Sequence, residues 1–141
     1  MKIAFDIGGV LSKYPDLFRP LVVQLQAAGV QVFVITDVPD RSEVLEMLRL
    51  NDFAMIPEAN VYSADYATHG ETCKAVLLRE QGIDMFFDDF IGYVAVDGCP
   101  VRCLVMPDAT RPYYHETWKT VGTSWDFGRA YTRRRGDVRD R

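Results

Sequence analysis

The 141-residue sequence lacks the features that would place a chain in a membrane or staple it with bridges. Its longest apolar runs are only a few residues, far short of the roughly 20 that a membrane-crossing helix needs. The opening MKIAFD meets an acidic residue too early for the core of a secretory signal. An intracellular, cytoplasmic protein with no membrane partner is therefore the expectation. Cysteine is scarce: Cys73, Cys99 and Cys103 are an odd set without a CxxC pair. They specify neither a zinc site nor a disulfide framework and read as reduced, mostly packed thiols. The segment CPVRC could bring Cys99 and Cys103 together across a turn. Internal repeats and low-complexity linkers are also missing, and the length suits one domain with a single core.

What is present begins with composition. Hydrophobic residues make up 48% and charged residues 26%, the balance of a globular chain rather than a disordered or fibrous one. The net charge of -4 hides a split, because residues 129–141 hold six arginines against two aspartates, which leaves -8 on the preceding 128 residues. A domain over 1–128 and an Arg-rich, partly disordered tail over 129–141 are expected. The tail keeps nucleic acid among the candidate partners.

Along the chain, apolar runs alternate with helical patterns. Lys2 to Asp6 reads as a short strand that stops at the pair Gly8 and Gly9. A helix is predicted over Pro20 to Ala28, with Pro20 in its first turn, Leu21, Leu25 and Ala28 on one face, and Gly29 ending it. QVFVIT, residues 31–36, is apolar and β-branched, as a parallel strand buried on both faces would be. Asp40 and Glu43 form a capping box for a helix through Leu50, in which Val44, Leu45 and Leu48 keep helical spacing. A short strand at 60–63, a helix at 71–81 closed by Gly82, and strands at 84–88 and 101–106 follow. PYYHETW could add a short helix. The order predicts an α/β fold with three layers, a Rossmann-like, mainly parallel central sheet between helices.

Such sheets bind ligands beyond the carboxyl ends of their strands. The residues just past the apolar runs are Asp6, Thr36, Asp88 and Asp89, and Lys74 joins them from the first turn of the helix at 71–81. A lysine at a helix N-terminus opposes the helix dipole, which argues for a separate role. Carboxylates supply hard oxygen ligands for Mg²⁺, while a lysine and a hydroxyl can hold phosphoryl oxygens.

In this order the motifs resemble those of the haloacid dehalogenase (HAD)-like superfamily. FDIGGVLS is similar to its first motif, VFVITD to its second, KAVLLREQGID to its third and DMFFDDF to its fourth, and together they cover about residues 1–107. The resemblance implies that Asp6 is a nucleophile that takes a phosphoryl group. Mg²⁺ would be held by Asp6, one of Asp88 and Asp89, and the carbonyl of Gly8. Thr36 and Lys74 would serve catalysis and the phosphoryl oxygens, and Gly9 and Asp37 would line the substrate site.

Phosphatases of this family usually carry a second aspartate two residues after the first, where this chain has Gly8. Loss of a general acid and base typically costs about 10² to 10⁴ in rate. Three readings stay open: a slow phosphatase, recruitment of another group such as His69 or Asp37, or a protein that keeps phosphate or metal binding without turnover. The dehalogenase branch also lacks the second aspartate but normally has a cap domain. Only 29 residues separate Asp6 from Thr36, and 37 separate Thr36 from Lys74, too few for a cap beside the helices they contain. An open, capless site suits a nucleotide, a polynucleotide end or another large phosphomonoester, in a monomer or a homodimer. Tyr113, Tyr114, Trp118 and Trp125 could stack bases but read first as edge-of-core aromatics, and His115 has no partner at readable spacing.

Overall fold

Ile3, Phe5, Val32 and Val34 belong to one buried apolar cluster, and Ala4, Phe33, Ile35 and Phe86 to another. Because side chains alternate along a strand, the two clusters lie on opposite faces of one sheet. Both faces therefore need cover. The computed structural model describes residues 1–90, Tyr93, Cys99 and 101–105. The expected segments at 112–118 and 129–141, with His115, Tyr113, Tyr114, Trp118 and Trp125, lie outside them.

The strands are β1 (Lys2–Phe5), β2 (Gln31–Thr36), β3 (Val61–Ser63), β4 (Met85–Asp88) and β5 (Arg102–Val105). They lie in the order β3-β2-β1-β4-β5, and every pairing is parallel. Between them, among the described residues, run α1 (Pro15–Ala27), α2 (Arg41–Leu50), α3 (Tyr66–His69) and α4 (Cys73–Glu80). Phe18 and Val22 of α1 and Val44 and Leu48 of α2 enter the first cluster, while Leu78 of α4 enters the second. The α/β, Rossmann-like architecture expected from the alternation is the one observed.

Helix α1 corrects the sequence reading. It begins at Pro15, where a missing N–H costs nothing, and Pro20 lies inside it. An interior proline removes a helical hydrogen bond and normally marks a boundary, which is why the start was expected at Pro20. Packing outweighs that loss here. The Phe18 ring sits 5.5 Å from Phe5 and 5.9 Å from Phe87, and Phe5 stacks on Phe87 at 4.8 Å. The buried positions are accordingly Phe18 and Val22, with Leu21 and Leu25 flanking them and Ala28 exposed as the cap.

Elsewhere the differences are of one or two residues. Asp40 caps α2, its Oδ1 accepting the Ser42 N–H at 2.8 Å, and Glu43 stands in the first turn. The helix expected from 71 starts at Cys73 because a tight turn at Gly70–Thr72 precedes it. Asp84 stays outside β4, where its Oδ2 accepts the Lys2 N–H at 2.7 Å. The unforeseen α3 is a single turn capped by Asp65. No helix among the described residues is long and apolar enough to cross a membrane.

Candidate functional site

The register of the sheet brings two carboxylates level. Phe5 of β1 pairs with Phe87 of β4, and the Asp6 N–H donates to the Phe87 carbonyl at 2.8 Å, so Asp6 and Asp88 end adjacent strands side by side. Alternation then sets their direction. Ala4 and Phe86 face the cluster covered by α4, and Asp6 and Asp88, each two residues on, face the same side. Helix α4 delivers Lys74 there from its first turn.

Lys74 is wholly buried, and its Nζ lies 3.0 Å from Asp6 Oδ2 and 2.8 Å from Asp88 Oδ2. The second oxygens are fixed by backbone donors: Asp6 Oδ1 accepts the Ile7 N–H at 2.8 Å, and Asp88 Oδ1 accepts the Phe90 N–H at 2.7 Å. The ammonium also lies over two aromatic rings, with Nζ 4.4 Å from the Tyr93 ring centre and 5.7 Å from that of Phe86. Asp89, also buried, completes a group in which one carboxylate oxygen each from Asp6, Asp88 and Asp89 lie within 4.8 Å of one another.

Two glycines shape the turn after Asp6. Gly9 has φ +69, and a Cβ there would fall 2.2 Å from the Asp89 carboxyl carbon, so only glycine lets that carboxylate lie over the turn. Gly8 is different. Its backbone is extended (φ -63, ψ 129), and a Cβ would meet nothing within 4 Å. A side chain could therefore stand at Gly8, beside Asp6, without strain.

The charges are strongly coupled. Burial pushes the Asp6 carboxyl up, against the lowering effect of Lys74, and the charge of Asp37 adds to the rise. Burial likewise pushes Asp88 up to about 8, with Lys74 opposing and Asp6 adding. For Lys74 burial works downward, but the charges of Asp6, Asp88 and Asp37 outweigh it and hold the ammonium above its ordinary range. Three carboxyl groups and one ammonium share a site with low solvent access. The donors are all oxygens, and together these properties fit a hard divalent cation.

The remaining expected residues divide. Thr36 ends β2 two residues beyond Val34, which pairs with Phe5, so it stands at the same edge; it is buried, and its Oγ1 accepts the Val38 N–H at 3.5 Å. Asp37 is engaged through its Oδ2, which accepts the Tyr93 hydroxyl at 2.5 Å. His69 lies exposed in α3. Tyr93 is the residue that sequence reasoning missed: its ring covers Lys74 and its hydroxyl ties down Asp37. An isolated tyrosine five residues after Asp88 carries no pattern that distinguishes it from a core aromatic.

Comparison with known proteins returned no match to a family model, a curated protein or a solved structure.

Proposed function

We propose that the chain is a capless, Mg²⁺-dependent phosphatase of the HAD-like type, which hydrolyses a phosphate monoester through an aspartyl phosphate on Asp6. The observation that carries this reading is Lys74, buried between Asp6 and Asp88 at 3.0 and 2.8 Å with Asp89 beside them. A buried cation shared by carboxylates at the strand ends is costly to build and suits a site that must receive a charged phosphoryl group. The four motifs in order add support, and so do the connections: between Asp6 and β2, which Thr36 ends, lie only the turn at Ile7–Leu11 and α1, and between Thr36 and α4, which carries Lys74, lie only α2, β3, α3 and two three-residue turns. Connections this short leave no cap between Asp6 and Lys74, which suits nucleotides, polynucleotide ends and other large phosphomonoesters.

In this scheme an Asp6 carboxylate oxygen attacks phosphorus, the bond to the leaving group breaks, and the acyl phosphate forms. Lys74 stabilises the carboxylate and the incoming phosphoryl oxygens by charge, and the Thr36 hydroxyl donates to the same oxygens. Water then attacks phosphorus, releasing phosphate and restoring the Asp6 carboxylate. Mg²⁺, held by Asp6, one of Asp88 and Asp89 and the Gly8 carbonyl, would supply charge screening between the phosphate dianion and the nucleophile.

Gly8 supports a second reading, a catalytically reduced protein that binds a phosphorylated ligand or nucleic acid, because no carboxylate follows Asp6 in the usual place. Hydrolysis of p-nitrophenyl phosphate with and without Mg²⁺ separates the two. The phosphatase reading expects metal-dependent turnover that Asp6→Asn abolishes and that Gly8→Asp raises, by up to about 10² to 10⁴ if acid/base catalysis is restored in full. Ligand or metal binding without turnover in either the native chain or Gly8→Asp would favour the binding reading.

A further inference from the structure

A pair of thiols lies where the chain enters β5, close enough to the acidic edge for the charge of Asp88 to act on Cys103. Cys99 and Cys103 are both partly buried, and their sulfurs are 3.7 Å apart. Val101 between them bends the chain, and its carbonyl lies 4.0 Å from Cys99 Sγ and 3.7 Å from Cys103 Sγ. Cys103 pairs in register with Phe86 and packs with Cys99 and Val101 against the cluster of Ala4, Phe33, Ile35, Leu78, Ile83 and Phe86. The third thiol, Cys73, is buried at the start of α4.

We infer that Cys99 and Cys103 form a dithiol modification site that reacts with small-molecule disulfides, one thiol attacking and the other resolving the product to an intramolecular disulfide. Two thiols already in van der Waals contact need only side-chain rotation to reach bonding distance, without the backbone movement that widely separated cysteines require. The contact also perturbs the pair: the hydrogen bond with Cys103 draws the Cys99 thiol down against the opposing effect of burial, helped by the Val101 carbonyl and the charge of Arg79, while Cys103 is raised by its bond to Cys99, by burial and by the charge of Asp88. The thiolate is the nucleophile in exchange, and a thiol lowered by its neighbour supplies one.

The chemistry balances without another reactant. One protein thiolate attacks one sulfur of the small disulfide, whose S–S bond breaks as a thiolate leaves and takes up a proton. The other protein sulfur then loses its proton to solvent and attacks the first in the mixed disulfide, and the second small thiolate departs and is protonated. The protein loses two protons and two electrons, and the disulfide is reduced to two thiols. This reactivity is independent of the phosphatase reading.

The test exposes the folded chain to oxidised glutathione, quenches with acid, and reads intact mass and a peptide map. The expected product of the native chain has lost two hydrogens, retains no glutathionyl group and carries a Cys99–Cys103 bond. Cys103→Ser should stop at one glutathionyl group on Cys99, and Cys99→Ser at one on Cys103, with no intramolecular bond in either variant. Thermal melting of both variants checks that they fold; if either does not, the native map alone decides. Modification first at Cys73, a bridge between chains, or no product after denatured chain has reacted fully under the same conditions would each overturn the inference.

Discussion

Two places in the molecule set one cation against two carboxylates, with opposite physics. On the surface, Arg19 meets Asp16 at 2.5 Å and Asp52 at 3.0 Å, with side chains 33%, 96% and 75% exposed. At the strand ends Lys74 meets Asp6 and Asp88 with exposures of 0%, 6% and 0%. Water screens the first group, so it contributes about 0 to 1 kcal/mol. The second has lost its water, and desolvation of its ions rivals their attraction. Apolar residues would serve stability as well in that position. The contrast points to chemistry as the reason why charge is held there.

Replacing the buried cation is the strongest way to break the comparison. Lys74→Met leaves two buried carboxylates facing each other and should destabilise the metal-free protein by about 3 to 5 kcal/mol in urea unfolding at neutral pH. A loss under 1 kcal/mol would mean that the site takes up water or protons freely.

The pH dependence sharpens the same point. With Asp88 raised from 3.8 to about 8, the folded state keeps a proton that the unfolded chain releases between those values. Stability of the metal-free protein should therefore fall as pH rises from about 4 to about 8, with a slope of up to about 1.4 kcal/mol per unit for one proton. Asp6, shifted in the same direction, adds to the fall. Magnesium should flatten the slope, because it favours the ionised carboxylates. Melting temperatures across that range, with chelator and with Mg²⁺, check both statements.

Gly9→Ala probes the turn rather than the charge. A side chain at φ +69 costs about 1 to 3 kcal/mol of strain, and this one would also push the Asp89 carboxylate aside. Weaker Mg²⁺ binding by calorimetry, in a protein that still folds, is the expected outcome. Gly8→Ala is the control, expected to change stability little because its φ and ψ suit any residue and its Cβ position is open. The smallest effect belongs to the surface: Arg19→Ala should cost less than about 1 kcal/mol, and less still at high salt.

Much of this was legible in the sequence, for reasons that differ by residue. Asp6, Thr36 and Asp88 end apolar runs, and a parallel sheet brings such ends to one edge whatever the details of packing. Lys74 was legible because a cation at a helix start opposes the dipole. Helix α1 was misread at its start because Pro20 is a local signal, whereas the contacts of Phe18 with Phe5 and Phe87 span distant parts of the chain. Tyr93 was invisible for the same reason: its partners Asp37 and Lys74 lie 56 and 19 positions away. The difference between Gly8 and Gly9 needed coordinates, since adjacent glycines look alike until one has a positive φ and a carboxylate over it.

The central claim is that the buried edge around Lys74 supports phosphoryl transfer to Asp6, and mass spectrometry of acid-quenched protein tests it directly. With no carboxylate at position 8 to activate water, breakdown of an acyl phosphate should be slow enough for it to accumulate. Incubation with p-nitrophenyl phosphate and Mg²⁺ should add one phosphoryl group that maps to Asp6, is absent in Asp6→Asn, and decays faster in Gly8→Asp. A chain that gains no phosphoryl group and releases no p-nitrophenol with any divalent cation, while its circular dichroism and melting show it folded, would contradict the claim.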